Sequence, residues 1–587
     1  MVKASTRCPF ACGNSGAAAV RPRRRAGSLL VCGLLALAMA AGCLDAHKPA
    51  ATEGLVQLTA GTPAEAPAWA RAELEMFAAY REAFQAFLAR GVQAETGFLI
   101  VPVTNWGTAD DIAEGIAVWD RYLFLVGDEA VRKAYVSSWK GIYTQLGKVG
   151  HGFRRGYYMG GYDAEHAGEL LQQLWGAIEL APQDAELHEQ NRIMADHFLA
   201  AQDEKTGLFK SLWLNNAGGS KMPGHWGRCS THDFVYLNTW FHAWVHTGQE
   251  KYRRAILRFG EAWNRIAARN GGVLPCIVRT DGSIPQQWWG EPFGYDEWGI
   301  PGVAQRGWHS WATMSVLLTG GRTDHLSGLA STVRELFKHG ENGQPASVFD
   351  GKTWRTGDRL AQRRAYQITH ILERMYDLTW SDESAGWVKA AGSDYGKALY
   401  FGGVTDQAAV DRFQAGARQA RRRLERTRSW ARQPTTGDEL KRYSPGYGTG
   451  YAGFPFVDGN YWSAGYDNGR TGGVVNAPIR YFRPDGSPGL PEGVAALVRS
   501  VTADAVKLEL YNAGPQAARL ILTGGHYGQH RIEDISGRKV GDRRAGLELP
   551  PGALARLTVR LKRWAYRPTH TPAAGREGSA LTATAPA

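Results

Sequence analysis

Between Ala64 and about Glu425, apolar residues recur with the spacing of one helix face, and Gly, Pro and short polar runs break the pattern into twelve amphipathic segments. They span 65–90, 111–126, 129–146, 163–181, 185–202, 232–247, 250–268, 303–319, 323–338, 360–377, 384–400 and 405–428. Three stretches repeat one design. YLFLVGDEAVRKAYVSSW, HAWVHTGQEKYRRAILRF and MSVLLTGGRTDHLSGLAS each run from an apolar helix through Gly127, Gly248 or Gly320 into a second helix. Glycine ends the first helix by taking the left-handed conformation. Twelve helices make six hairpins, and a closed ring or an open solenoid would bury their apolar faces. The long loops 203–231 and 269–302, rich in Gly, Trp and Tyr, favour the ring, because long ordered loops usually carry function. The expected fold is mainly α, an (α/α)6 toroid of helical hairpins over 65–432.

The period changes near Ala496. AVKLELYN, ARLILTGGHYGQH, RAGLELPPG and LARLTVRLKRW alternate apolar and polar residues between Gly, Pro and Asn turns, which is strand periodicity. A small antiparallel, β-sandwich-like domain is expected over 496–567, packed on the side of the ring. Residues 433–495 read as a connector rich in Gly and aromatic residues, and 568–587, rich in Ala, Thr and Pro, as a disordered tail.

The N-terminus changes what composition means. Arg21, Arg23, Arg24 and Arg25 precede the short apolar run GSLLVCGLLALAMAAGC, the pattern of an export signal over 1–42. The run is shorter than the ~20 residues a membrane span needs. It resembles a lipoprotein signal with Cys43 as the lipidated residue, although Ala40 stands where Leu is usual. The expectation is a periplasmic or cell-surface lipoprotein touching the membrane only through Cys43, or a secreted protein if that cysteine is not used. The chain carries a net charge of +12, and the six basic residues before Cys43, with no acid among them, supply half of it. The remaining surplus is modest. Ala417–Arg432, ARQARRRLERTRSWAR, reads as a solvated outer face, and export argues against a nucleic-acid partner. A preference for an acidic substrate survives. Of the cysteines after Cys43, only Cys229 and Cys276 remain, which permits one bridge and offers no zinc spacing.

An exported α-hairpin toroid followed by a small β-domain resembles the six-hairpin carbohydrate-active enzymes, among them toroid polysaccharide lyases and unsaturated uronyl hydrolases. The segment THDFVYLNTWFHAWVHTGQEKYRRAI is similar to a helix pair of the uronyl hydrolases. The resemblance covers about 65–425 and is one of architecture, so it assigns no catalytic role by itself.

In such a ring alternate helices line the inside and their starts share one mouth. Polar residues gather at the starts of four of them: Asp110, Asp111 and Glu114 in TADDIAE; Asp163, Glu165, His166 and Glu169 in YDAEHAGE; His232 and Asp233 in STHDF; Arg306 and His309 in QRGWHSW. Tyr366 and His370 lie further along a fifth. Capping alone accounts for a single Asp111, Asp163 or Asp233, and His242 or His246 reads as a satisfied core or surface residue. Capping does not account for histidines recurring at equivalent helix starts. Glu169, three residues after His166, shares its helix face and can orient the imidazole. The loops add Trp226, Trp288, Trp289, Glu291, Tyr295 and Trp298, flat apolar faces and polar groups suited to sugar rings.

Two reactions fit. A lyase acting on a uronic acid needs a group that neutralises the carboxylate, a base for the C5 proton and an acid for the leaving oxygen, and Arg306, His166, His232, Tyr295 and His309 are suitable types. A glycoside hydrolase needs two carboxylates flanking the scissile bond, which Asp111, Asp163, Glu165 and Asp233 can supply. The His and Tyr content and the basic mature chain favour β-elimination. A glycan-binding lipoprotein without catalysis is the third possibility. No cofactor is required; a divalent metal on His166, Glu169, His225, His232 or Asp233 is possible but has no diagnostic spacing.

Overall fold

The computed structural model describes residues 54–93, 95–148, 153–154, 157–158, 162–210, 213–214, 228–230, 234–275, 277–284, 307–346, 348–349, 354–355, 359–448, 451–460 and 474–574. Sixteen α-helices are described: α1 Ala68–Gly91, α2 Trp106–Ala117, α3 Asp120–Val126, α4 Glu129–Lys148, α5 Ala164–Leu180, α6 Ala185–Leu199, α7 Phe234–Thr247, α8 Glu250–Arg269, α9 Gly307–Leu318, α10 Ser327–Lys338, α11 Arg359–Thr379, α12 Asp382–Ala391, α13 Asp394–Lys397, α14 Asp406–Arg428, α15 Gly437–Lys441 and α16 Pro455–Asp458. The expected hairpins are present. Gly127, Gly248 and Gly320, the three repeated turn glycines, all have positive φ (63°, 74° and 66°), and the Gly127 and Gly248 amides close the preceding helices on Leu123 O and Trp244 O.

Two sequence boundaries move. The segment expected at 111–126 is two helices, α2 and α3, divided at Val118 and Trp119, and it starts earlier, after Asn105, whose side chain accepts from Thr108 N at 2.9 Å. The segment 384–400 breaks at Gly392 and Ser393, and Ser393 caps the short α13, which continues as a π-turn over Ala398–Gly402.

An inner series packs in order, α2 on α5, α5 on α7, α7 on α9 and α9 on α11. Outer helices run against it: Gln173 of α5 donates to Tyr135 O of α4 at 3.0 Å, and Thr369 of α11 donates to Ala391 O at the end of α12 at 3.0 Å. The sixth inner place belongs to α13 and its π-turn. Ser393 N reaches Glu373 of α11 at 2.8 Å, while Tyr376, one turn later on α11, meets Tyr400 and Phe401, so the two elements run parallel. This inner member is short. The space between it and α3 is filled by 451–460: Phe456 packs on Tyr395, Phe454 on Tyr80 and Phe77 of α1, and Asp458 forms a buried ion pair with Arg121 of α3 (Nη2 to Oδ1 2.7 Å). α14 then runs alongside α1, with Arg421 on Glu75 and Arg428 on Glu82.

The C-terminal β-region is two sheets. One has the order 57–59, 544–549, 518–524, 479–482, and the other 494–501, 505–512, 553–562, 531–535, 538–542. Its N-terminal members are additions to the domain expected at 496–567. Gln57–Thr59 pairs parallel with Gly546–Glu548, and Thr62–Pro63 pairs with Ala553–Leu554. The first residues of the expected disordered tail, through 574, are ordered: Thr569 N bonds Tyr527 O and His570 is buried against His242 (Nε2 to Nδ1 3.1 Å), while 575–587 lie outside the described residues.

The β-domain was expected on the side of the ring. It lies instead against the C-terminal ends of the inner helices. Arg483 donates to Val126 O and Gly127 O at 2.7 and 2.8 Å after α3, Arg567 donates to Trp244 O near the end of α7 at 2.8 Å, and Arg563 lies over Trp380 after α11. At the end of α5, Glu179 accepts from Tyr527 Oη at 2.6 Å and meets His526 Nε2 at 2.5 Å, with Arg480 donating to His526 O. Cations at helix C-termini are electrostatically favoured.

The seam holds its histidines neutral. Burial pushes His242 and His526 down to about 4 from 6.5, Arg480 adding to the shift at His526. Burial would raise Glu179, but His526, His242 and Arg480 outweigh it and keep the carboxylate below its ordinary range. A histidine with a lowered folded pKa contributes full stability above its unfolded value and loses it as pH falls toward the folded one. The melting temperature is therefore expected to drop as pH falls from 6.5 toward about 4, the interval set by His242 and His526. Thermal melts across that interval check it, and a flat profile rules out neutral buried imidazoles at the seam.

Candidate active site

With the C-terminal ends of α3, α5, α7 and α11 covered, the helix starts define the other end of the ring. Asp111 and His370 are the predicted site residues whose side chains are described. Asp163 is placed by its backbone immediately before α5, in the strand Tyr162–Asp163 that pairs with Trp213–Leu214. Glu165 and His166 occupy the first turn of α5, His309 the first turn of α9 and Tyr366 the third turn of α11, with side chains outside the described residues. Trp226, His232, Asp233, Trp288, Trp289, Glu291, Tyr295, Trp298 and Arg306 lie outside the described residues.

Asp111 does not cap a helix; Asn105 does. Asp111 sits one turn inside α2, where its carboxylate accepts from Lys441 Nζ of α15 at 2.5 Å. The same ammonium reaches Glu114 Oε2 at 2.7 Å, and Tyr447 donates to Glu114 Oε1 at 3.1 Å. Burial, followed by the Glu114 charge, pushes the Tyr447 phenol up to about 12. Nearby, Ser444 donates to Gly115 O at 2.6 Å and accepts from Trp119 Nε1. The stretch of α2 from Asp111 to Gly115 is thus held by 441–447.

The inner helices keep polar side chains buried below their first turns: Asp110 and Glu114 on α2, Glu169 and Gln172 on α5, Asn238 on α7, Ser310 and Thr313 on α9, His370 and Glu373 on α11. Buried polar groups cost free energy unless partnered, so so many on adjacent apolar helices mark a polar interior. Ser310 Oγ donates to Asn238 Oδ1 at 2.9 Å and accepts from Val474 N at 3.1 Å, linking α7, α9 and the chain entering the β-domain. His370 is 1% exposed, with Nδ1 3.7 Å from Glu373 Oε2, whose partner oxygen binds Ser393. Lower down, Asp377 accepts from Asn476 Nδ2 at 2.6 Å, and burial raises its pKa despite Arg374. Asp120, at the start of α3, is pushed up to about 8 by burial and by Glu179. Perturbed carboxylates of this kind accompany functional interiors and structural networks alike.

Sequence reasoning missed Lys441, Tyr447, Asn238, Ser310 and Glu373. The signal for Asn238 and Ser310 was available: each is a polar residue inside an otherwise apolar stretch, FVYLNTWF and GWHSWATM. No comparable signal marks Lys441, which is distant from Asp111 in sequence. Among the described residues no group of three or more His, Cys, Asp or Glu is arranged to hold a metal ion, and no helix is long and apolar enough to cross a membrane.

Fold and site together define a ring of helical hairpins, covered at one end by a β-domain and polar inside toward the other. Over residues 57–211 and 227–431 the chain matches the family described as a domain of unknown function (DUF8034), and it belongs to that family. No curated protein matches it. Among solved structures it is similar to an unsaturated glucuronyl hydrolase from Bacillus sp. GL1, with 15% identity over 55% of this chain and 82% of that one and a TM-score of 0.37. It is also similar to a cellobiose 2-epimerase from Bacillus thermoamylovorans, with 12% identity over 55% of this chain and 88% of that one and a TM-score of 0.36. A GH127 β-L-arabinofuranosidase from Geobacillus stearothermophilus shares 13% identity over 84% of this chain and 75% of that one, with a TM-score of 0.32.

Lys441 gives the site its first test. Replacing it with Met leaves the buried Glu114 without its ammonium partner, and about 2 kcal/mol of stability should be lost. Asp111→Asn removes a partner that is one-third exposed and should cost less than about 1 kcal/mol. Chemical denaturation of both variants checks the order, which reverses if Asp111 is the principal partner.

Proposed function

We propose that the chain is an exported glycan-cleaving enzyme that acts at the helix-start end of the ring on a uronic-acid-containing polysaccharide or oligosaccharide. The observation that carries this reading is the one-ended ring: its C-terminal end is covered by the β-domain, while Asp110, Glu169, Asn238, Ser310 and His370 form a buried polar interior beneath the other end. The Trp-rich segments that precede α7 and α9 in the sequence contain the residue types that stack on sugar rings.

β-Elimination is the favoured reaction. Arg306 would neutralise the uronate carboxylate, His166 or His232 would take the C5 proton, and Tyr295 or His309 would protonate the leaving oxygen as the C4–O bond breaks and the C4=C5 double bond forms. Hydrolysis is the second reading, and the buried carboxylates Asp110 and Glu169, on the neighbouring helices α2 and α5, speak for it. The unsaturated glucuronyl hydrolase is, by its name, a hydrolase. The N-terminal signal supports export, with Cys43 as lipid anchor, and no cofactor is needed for either reaction.

Incubating the mature protein with a panel of acidic polysaccharides, following both ultraviolet absorbance of new C4=C5 unsaturation and new reducing ends, decides between these readings. Unsaturation is the expected result. Reducing ends without it establish hydrolysis, and neither signal with retained binding establishes a glycan-binding protein. His166→Ala should lower turnover by about a hundredfold or more while leaving the melting temperature nearly unchanged, the loss expected for a positioned acid-base group. Normal specific turnover in that variant removes His166 from the mechanism.

A further inference from the structure

α14 carries seven arginines against three acids. Most are accounted for. Arg421 and Arg428 pair with Glu75 and Glu82 of α1, Arg412 lies over Tyr395 and 4.0 Å from Asp394, and Arg423 donates to Arg442 O at 2.6 Å. Arg418, Arg422 and Arg426 remain. All three are exposed and have no ion pair among the described residues. They recur every fourth residue, about 6 Å apart along one face of the helix.

Such a row works against helix stability, because like charges four residues apart repel. The repulsion is felt: burial, then Arg426 and Arg422, hold the neighbouring Arg423 guanidinium below its ordinary range. The helix dipole favours Arg426, in the last turn, but not Arg418 or Arg422. Glu425 is the one acid on this stretch.

The row also has a direction. α14 starts at the β-domain, where Asp406 pairs with Arg499 of the strand Val494–Val501. It ends beside α15, whose Lys441 binds Asp111 near the start of α2, at the helix-start end of the ring. A linear row of guanidinium groups without a pocket fits an extended polymer bearing carboxylates or sulfates better than a small anion.

We propose that Arg418, Arg422 and Arg426 form a docking track on which an acidic polysaccharide lies along the outer wall of α14 on its way to the active end of the ring. The inference rests on the acidic-glycan reading above and extends it to a second binding surface.

The test compares the mature protein, the track variant R418Q/R422Q/R426Q and a charge-matched control, K507Q/R538Q/K539Q, whose three residues are exposed on the β-domain. Binding of labelled polygalacturonate and heparin is measured as a function of salt, alongside cleavage of long and short substrates. The track variant should bind both polymers about tenfold more weakly and with a flatter salt dependence, while the control binds as wild type does. Its KM should rise for the long substrate only, with kcat unchanged. Equal affinity in the track variant and wild type overturns the proposal, as does preferred binding to duplex DNA or to anionic vesicles. Polymer binding that depends on the three arginines, in a protein that yields no cleavage products, upholds the track and removes the enzyme reading.

Discussion

Parallel packing of the inner helices creates the constraint to which the rest of the structure answers. It gathers the carboxyl ends of α3, α5, α7, α9 and α11 at one end, each with terminal carbonyls that lack partners within their own helix. The chain supplies those partners from outside the inner series. Arg483 takes the carbonyls after α3, Arg567 that of Trp244 on α7, and Arg253, from the outer helix α8, takes Leu318 O at the end of α9. Two of these three arginines come from the C-terminal β-region. The β-domain is therefore part of the ring's electrostatics, and its position leaves the helix starts as the end available for chemistry.

At α5 the same demand takes a different form. Glu179, one residue before the end of that helix, places a carboxylate where the dipole is already negative. Tyr527, His526 and Arg480 converge on it, and His242 reaches it from α7 at 4.0 Å. His242 is bonded in turn to His570, and His188 stacks on His246 at 3.7 Å. A buried ionic group whose partners come from three separate segments is costly when any one is missing, so the seam favours complete assembly over partial docking.

The hairpins were legible because they obey local rules. Helical periodicity and a turn glycine are properties of adjacent residues, and Gly127, Gly248 and Gly320 all take the conformation that their place between apolar runs implies. What was not legible depends on distant partners. Gln57–Thr59 is too short to read as a strand until Arg544–Leu549 lies beside it, and Thr569–Ala573 has the composition of a tail but is held by Tyr527 and His242. For the site, the acids on α2 were legible as a cluster, but their use was not. Asp111 resembled a cap because Asn105, the actual cap, precedes a stretch with Trp and Gly that does not look helical in isolation. His242, which the sequence marks as a satisfied core or surface residue, is buried, and only tertiary structure shows that it belongs to the seam.

The connector shows where a boundary drawn from composition departs from one drawn from packing. The family match ends at 431 and the helical periodicity at about the same place, yet the ring does not close there. Its sixth inner member, α13, is too short to reach α1 and α3, and the gap is filled by Phe454, Phe456 and the Asp458–Arg121 pair. The middle of α2, from Asp111 to Gly115, depends likewise on Lys441, Ser444 and Tyr447. A shortened inner helix thus makes the glycine- and aromatic-rich segment a structural part of the ring. Small residues fit that place: Gly446 and Gly453 lie where a Cβ would meet the Tyr451 hydroxyl at 2.1 Å and the Phe413 ring at 2.7 Å. The composition that suggested a linker is the composition that close packing between helices requires.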